Sequence, residues 1–506
     1  MTFMTVHATI ALPPAGEGAR RADEGLIASP IANTRWGLRP SSGLSATFPR
    51  RGKGKNNRWL FANDRLASHS WSEALLCFFF ALAIFFTANT AFAVTGTVTS
   101  GKIDPLPIAI APFIAEPGAE TDSAAVSGII ANDLAHSGYF TPLPPQSFIE
   151  QIGNFDQNPN FASWQQVKAQ ALVVGQVSKA GDKMTVSFKL YDVNTQAFLA
   201  GSSFTAPAKL SRRLAHKVAD MIYNKITGFA PYFDTRVVYV DESGPKNARV
   251  KKLAMMDQDG YSARTLTAGK EILLTPRFSP TSQEITYAAI GTEASRVFIY
   301  NLDTGQKEII GDFHNMSFAP RFSPDGQKVI MSLESDDGRD ANIYVMDLRS
   351  KQTKQITNVP AINTAPSYSP DGTKIVFESD RGGAQQIYVM GSDGANQQRI
   401  SFGNGRYSTP VWSPDGKYIA FTKQGEGKFA IGVMAPDGSG ERILTEGFHN
   451  EGPTWSPNSR VLMFFRDQPG ENGGPQLFSV DISGYNEQQV QTPGFSSDPA
   501  WSPLLK

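Results

Sequence analysis

Between Arg236 and Lys506 the apolar residues come in short β-rich runs separated by turn residues, with no sustained helical period. The turns repeat. Six segments share Pro, any residue, an aromatic, Ser and Pro: Pro276–Pro280, Pro320–Pro324, Pro366–Pro370, Pro410–Pro414, Pro453–Pro457 and Pro499–Pro503. Their first prolines lie 43 to 46 residues apart. Where Asp-Gly follows, Ser-Pro-Asp-Gly predicts a type I turn, with Pro fixing φ at its second position. A strand follows each turn (Lys374–Phe377, Tyr418–Thr422), then a third (Asn342–Asp347, Gln386–Met390) and a fourth (Gln355–Thr357, Arg399–Ser401). Four short antiparallel strands per repeat predict one propeller blade.

The two ends of this region fit each other. Arg236–Thr267 supplies three strands with no motif before it, and Pro499–Pro503 is a motif with no strand after it. The C-terminal strand is therefore expected to complete the first blade, closing a six-bladed β-propeller over residues 236–506 with no open edge. The motif aromatics, Phe278, Phe322, Tyr368, Trp412, Trp455 and Trp501, are expected to pack between blades.

From 94 to 230 the pattern changes to that of a small N-terminal α/β domain. Pro107–Ala111 reads as a buried strand. Asp122 or Ser123 can cap a helix that carries Val126, Ile129, Ile130 and Leu134 and stops at Gly138. A second helix is expected over about 161–170, strands at 171–175, 183–193 and 197–205, and a last helix from Lys209 to Thr227, stopped by Gly228. Phe229-Ala230-Pro231 makes a short, stiff link to the propeller.

The first ninety residues read differently again. Residues 1–73 are rich in Arg, Ser, Gly, Ala and Pro, without apolar period, and are expected to lie outside the fold as a disordered or mis-assigned leader. The apolar run Leu75–Phe86 ends near Ala91-Phe92-Ala93, so 74–93 reads as the core of a cleaved secretory signal, too short to span a membrane. Its Cys77 is the only cysteine, so the chain from Val94 onward holds no disulfide or thiolate chemistry. The 47 basic residues balance 47 acidic ones, which argues against a nucleic-acid or anionic-membrane partner.

No nucleophile elbow, His-Glu-x-x-His or phosphate loop occurs, and no catalytic residue, cofactor or metal is assigned. The Asp-Gly pairs recur singly where hairpins must turn, which fits turn chemistry better than calcium loops. The loops that enter the innermost strands carry His314, Asn315, Asn363, Thr364, Arg406, Tyr407, His449, Asn450 and Glu451. Placed at one mouth of the ring, they read as solvated loop residues, as a shared binding face or, with two histidines and no evident third ligand, as a metal site. At the other end of the chain, Val94, Thr95, Gly96, Thr97, Val98 and Thr99 form a β-capable segment suited to strand addition.

Order of parts and motifs together resemble the TolB family of the Tol–Pal cell-envelope system. The resemblance covers Val94–Lys506 and rests on Ile108–Phe113, Val173–Val177, the six propeller motifs and the terminal Pro499-Ala500-Trp501-Ser502-Pro503. The leader of about seventy residues departs from that family's pattern. The resemblance implies a monomeric periplasmic adaptor that does not insert into the membrane. It would receive the lipoprotein Pal at the propeller mouth and engage TolA through Val94–Thr99, with other outer-membrane proteins as further partners. It would thereby support outer-membrane integrity and constriction at division. The alternative is a periplasmic propeller hydrolase or lactonase with a channel-bound cation.

Overall fold

The computed structural model describes residues 98–99, 102–269, 271–291, 295–313, 316–470 and 473–505. The leader and signal segments, and with them Val94–Thr97, His314 and Asn315, lie outside the described residues.

The α/β domain is built on a sheet of strands in the order Phe140–Pro142, Leu106–Ile110, Ala171–Ala180, Lys183–Asp192 and Phe198–Pro207, with Ile114–Ala115 paired to Ala171–Ala180. The first three run parallel and the last two antiparallel. Helices Glu120–His136 and Ser211–Thr227 bury Val126, Ile130, Leu134, Leu214, Val218 and Ile222 against it. The first helix begins at Glu120, so Asp122 and Ser123 lie in its first turn rather than capping it. Glu120 Oε1 accepts the Gly118 N–H at 3.1 Å, and the Ser123 hydroxyl donates to the Phe113 carbonyl instead of to the helix end. The short helix ends at Gln166, earlier than the sequence suggests. Its Trp164 is fully buried and donates Nε1–H to Glu150 at 2.6 Å.

Six four-stranded antiparallel sheets follow, one per repeat. In the first blade the order is Arg264–Thr265, Val250–Asp257, Arg236–Ser243 and Phe495–Trp501, so the last strand of the chain is the innermost strand of the first blade. Trp501 locks this closure. Its ring is buried, its Nε1–H donates to Thr235 Oγ1 at 2.8 Å, and Ser502 Oγ accepts the Arg236 N–H at 2.9 Å. The motif turns are held by their own side chains. Ser323 N–H and the Lys328 carbonyl pair at 2.9 Å, while Asp325 Oδ1 accepts from the Ser323 hydroxyl and from Gln327 N–H. The same bonds recur at Ser369 and Ser413, and those contacts hold Asp325 and Asp371 below the usual carboxylate range.

Each innermost strand is bulged at one place. Ahead of every motif proline the backbone is left-handed: Thr275, Ala319, Ala365, Thr409 and Asp498 at φ 46–50°, and Gly452 at 65°. Pairing slips by one residue there, as between Thr364–Glu378 and Ser367–Val376. For a non-glycine residue this conformation costs about 1–2 kcal/mol, and all but one of the six blades carry it without glycine.

The two domains share one core, in which Val126, Leu214 and Tyr223 join Val237, Met256, Phe465 and Trp501. Asp220 ties the link down by accepting the N–H groups of Tyr232, Phe233 and Asp234 at 2.8–3.0 Å; burial pushes its carboxyl up to about 6. Beside it lies a buried charge cluster. His216 Nδ1 meets Asp133 Oδ2 at 2.6 Å, Gln258 donates to Asp133 Oδ1 at 3.0 Å, and Arg212 bridges Asp257 and Asp259 at 2.7 and 2.5 Å. Burial opposes a charge on His216, but Asp133, Asp257 and Asp259 outweigh it and lift its pKa to about 10.

Two outcomes follow. Trp501→Ala should cost about 3–5 kcal/mol, a large part of a typical total of about 5–15 kcal/mol; an unchanged denaturation midpoint would contradict closure by this strand. For His216 the folded pKa lies above its unfolded value of about 6.5. Its stabilisation is therefore complete below about pH 6.5 and is lost as pH rises through about 10. Urea titrations at pH 6, 8 and 10 should show that loss in the wild type, and His216→Asn should flatten it.

Candidate functional site

An innermost strand runs from one mouth of the ring to the other, so its first residues line one rim and its Ser-Pro turn lines the opposite one. The residues singled out at the entering rim divide by burial. Asn363 is fully buried: its amide donates to the carbonyls of Ala341 and Ala361 at 3.1 Å, and Arg381 donates to its Oδ1 at 2.6 Å. Thr364 donates to Glu378 Oε1 at 2.6 Å, and the other oxygen of Glu378 accepts the Thr409 N–H at 2.7 Å. One carboxylate thus stitches the bulge of the fifth blade to the inner strand of the fourth.

Tyr407 needs correction. Expected on a loop with its ring free for a partner, it lies within the strand Arg406–Trp412 and is fully buried. The alternation of the strand explains this, because Arg406 points to solvent and its neighbour must point inward. The Tyr407 hydroxyl donates to Glu441 at 2.8 Å, Lys423 pairs with the same carboxylate at 2.7 Å, and its ring packs on Phe421 at 5.3 Å. Burial pushes its pKa up. Asn450 and Glu451 are likewise buried, with Arg466 donating to Asn450 Oδ1 at 2.7 Å.

Exposed on this rim are Arg406 and, in part, His449. The His449 ring sits between Phe429 at 4.6 Å and Phe465 at 5.9 Å, with Glu451 Oε2 at 3.0 Å and Asp467 Oδ2 at 3.9 Å. Burial lowers its proton affinity, but the bonds to Asp467 and Glu451 more than reverse that and hold the pKa at about 9. It is therefore a cation at neutral pH. Two aromatics on the same rim escaped the sequence analysis as site residues: Phe402 is 72% exposed under the Arg399 guanidinium and Phe448 is 59% exposed. Both follow the outermost strand of a blade and precede the next inner strand, a position whose exposure no local pattern reveals.

At the N-terminal segment, Val98–Thr99 pairs antiparallel with Lys102–Ile103 as a minimal hairpin. The grouping of Asp133, His216 and Asp259 is close enough to hold an ion, but Arg212 already neutralises Asp259 and His216 faces Asp133. Among the described residues no helix is long and apolar enough to cross a membrane.

A six-bladed propeller closed by Phe495–Trp501 and fused through one core to an α/β domain defines a two-domain α/β–propeller protein. The family profile described as "TolB beta propeller domain" matches residues 223–505, and that of the "TolB amino-terminal domain" matches 95–199. The chain belongs to the TolB family, the non-enzymatic periplasmic propeller component of the Tol–Pal system. Among solved structures it is similar to TolB from Acinetobacter baumannii, at 28% identity and a TM-score of 0.69, covering 79% of this chain and 97% of that one. It is also similar to a putative TolB from Agrobacterium tumefaciens, at 19% identity and a TM-score of 0.41, covering 53% and 97%.

The burial of Tyr407 has a measurable consequence. Tyr407→Ala should cost about 3–5 kcal/mol of stability, and Tyr407→Phe about 1–3 kcal/mol for the bond to a carboxylate. Chemical denaturation decides between this and a solvent-facing ring, for which both losses would be close to zero.

Proposed function

We propose that the chain is the adaptor of a Tol–Pal complex, taking the lipoprotein Pal at the rim where the innermost strands begin and TolA through Val94–Thr99. In this role it supports outer-membrane integrity and constriction during division. The observation that carries the reading is the composition of the rim within a TolB-family propeller. Phe402 and Phe448 are exposed on the segments that lead to Arg406 and the cationic His449, and aromatics with Arg are favoured at protein interfaces. Asn363, Thr364, Tyr407, Asn450 and Glu451 serve that surface from beneath, as the bonded layer that fixes the rim. His314 and Asn315 belong to the corresponding loop of the third blade by their place in the repeat.

The N-terminal reading rests on the Val-Thr alternation and on the hairpin that Val98–Thr99 forms, since a chain that pairs there can pair with a partner's sheet edge. The cation-dependent hydrolase gains no support from the throat of the channel, where two arginines stand at the corresponding positions of neighbouring blades.

Calorimetric titration of the chain with soluble Pal and with TolA tests both halves. Arg406→Ala and Phe448→Ala should each weaken Pal binding at least tenfold, about 1.4 kcal/mol, with the melting temperature nearly unchanged. Deleting Val94–Thr99 should abolish TolA binding and spare Pal binding. Wild-type affinity for Pal in both rim variants would place its site elsewhere, and equal loss of both partners on deletion would make the segment structural.

A further inference from the structure

The opposite mouth, ringed by the Ser-Pro turns, opens into a cavity of about 420 Å³ lined by all six motifs. After each bulge the residue following the motif proline faces this cavity: Arg277, Arg321, Ser367, Val411, Thr454 and Ala500. Two of the six are arginines, they come from neighbouring blades, and none of the six is acidic. Ser367 and Thr454 use their hydroxyls to accept backbone N–H groups of Trp412 and Trp501, at 3.5 and 3.2 Å. The guanidinium groups can only donate.

Their donors are poorly met. Arg277 Nη1 donates to the Pro276 carbonyl at 2.7 Å, while Arg321 Nε is buried with no partner. Among the described residues neither arginine forms an ion pair; Asp498 acts on Arg277 from beyond ion-pair distance, and Arg277 itself repels Arg321. A charged donor left unmet inside protein is costly, and two like charges side by side compound it. The fold nevertheless holds both against the same space. Nothing in blade packing requires arginine there, since Val411 and Ala500 fill the equivalent positions of other blades.

We propose that this throat is an anion site, in which Arg277 and Arg321 together grip one oxyanion, a carboxylate or a phosphate, with Arg321 Nε as a donor. The planar fork of a guanidinium matches both groups in two-bonded fashion, and two forks converging on one space favour an oxyanion over a chloride. The cavity is much larger than one such group, so the oxyanion can be carried by a larger molecule entering from this mouth. The site lies at the other end of the channel from the rim assigned to Pal and stands independently of that assignment.

Thermal unfolding of the full-length chain, at constant ionic strength, tests it with inorganic phosphate, with acetate and with neither. Either or both oxyanions should raise the wild-type midpoint in a saturable way. Arg321→Met and Arg277→Met should each weaken that response at least tenfold, and Arg321→Met should melt no lower than wild type in the anion-free buffer, because it removes an unpaired charge. Arg321→Lys, which keeps the charge and loses the fork, should respond weakly and guards against a misfolded Met variant. A response to phosphate alone assigns the site to phosphoryl groups, and one to acetate alone assigns it to carboxylates. The proposal is overturned if neither ion shifts the wild type, or if the shift is the same in wild type and all three variants.

Discussion

Every innermost strand of the ring must do two things that a regular strand cannot do at once: line the channel and drive a large aromatic between two blades. The left-handed residue before each motif proline reconciles them. It slips the register by one, so that the proline, which has no N–H to offer, falls where the ladder is already broken. The aromatic two residues on then turns into the blade interface, where Trp455 donates to the Val411 carbonyl of the neighbouring blade. Thr275, Ala319, Ala365, Thr409 and Asp498 all hold this geometry despite their side chains, which shows how strongly the surrounding sheet determines it.

That same device separates what could be read from the sequence from what could not. Blade number, strand order and closure by Phe495–Trp501 follow from motif spacing and turn chemistry, because both are local signals, the motif repeated six times and the Ser-Pro-Asp-Gly turn three times. The bulge leaves no such mark: the residues before the prolines are Thr, Ala, Ala, Thr, Gly and Asp, with no shared chemistry. Without it, the facing of the rim residues cannot be assigned. Tyr407 and Asn363 look like loop residues in the sequence, yet alternation and their bonds to Glu441 and Arg381 carry them inward. Position at the rim was legible, and exposure was not. The charge cluster of Asp133, His216 and Arg212 was equally hidden, since its members are far apart in sequence and meet only where the domains join.

The junction between the domains is rigid for reasons of both shape and charge. One apolar core runs through it, and around that core side chains of the ring reach backbone carbonyls of the other domain and the link, Asn458 to that of Ala230, Asn486 and Gln488 to that of His136, beside the ion pairs of Arg212 with Asp257 and Asp259. A carbonyl at a helix C-terminus gathers two donors from the sixth blade in this way, which suits the negative end of the helix dipole. Any signal passing between the N-terminal segment and the ring must therefore work against a packed and hydrogen-bonded joint rather than a loose hinge.

The closing strand also sets an order in time. Arg236 and Ser502 are bonded across 266 residues, so the first blade stays three-stranded until residues 495–502 have been made. A polypeptide released before Phe495 keeps an unpaired inner edge and a gap where Trp501 belongs. Such an edge invites pairing with other chains and gives proteases a foothold. The strand Phe495–Trp501 thus acts as a checkpoint in synthesis: only a chain made past it can shut the ring.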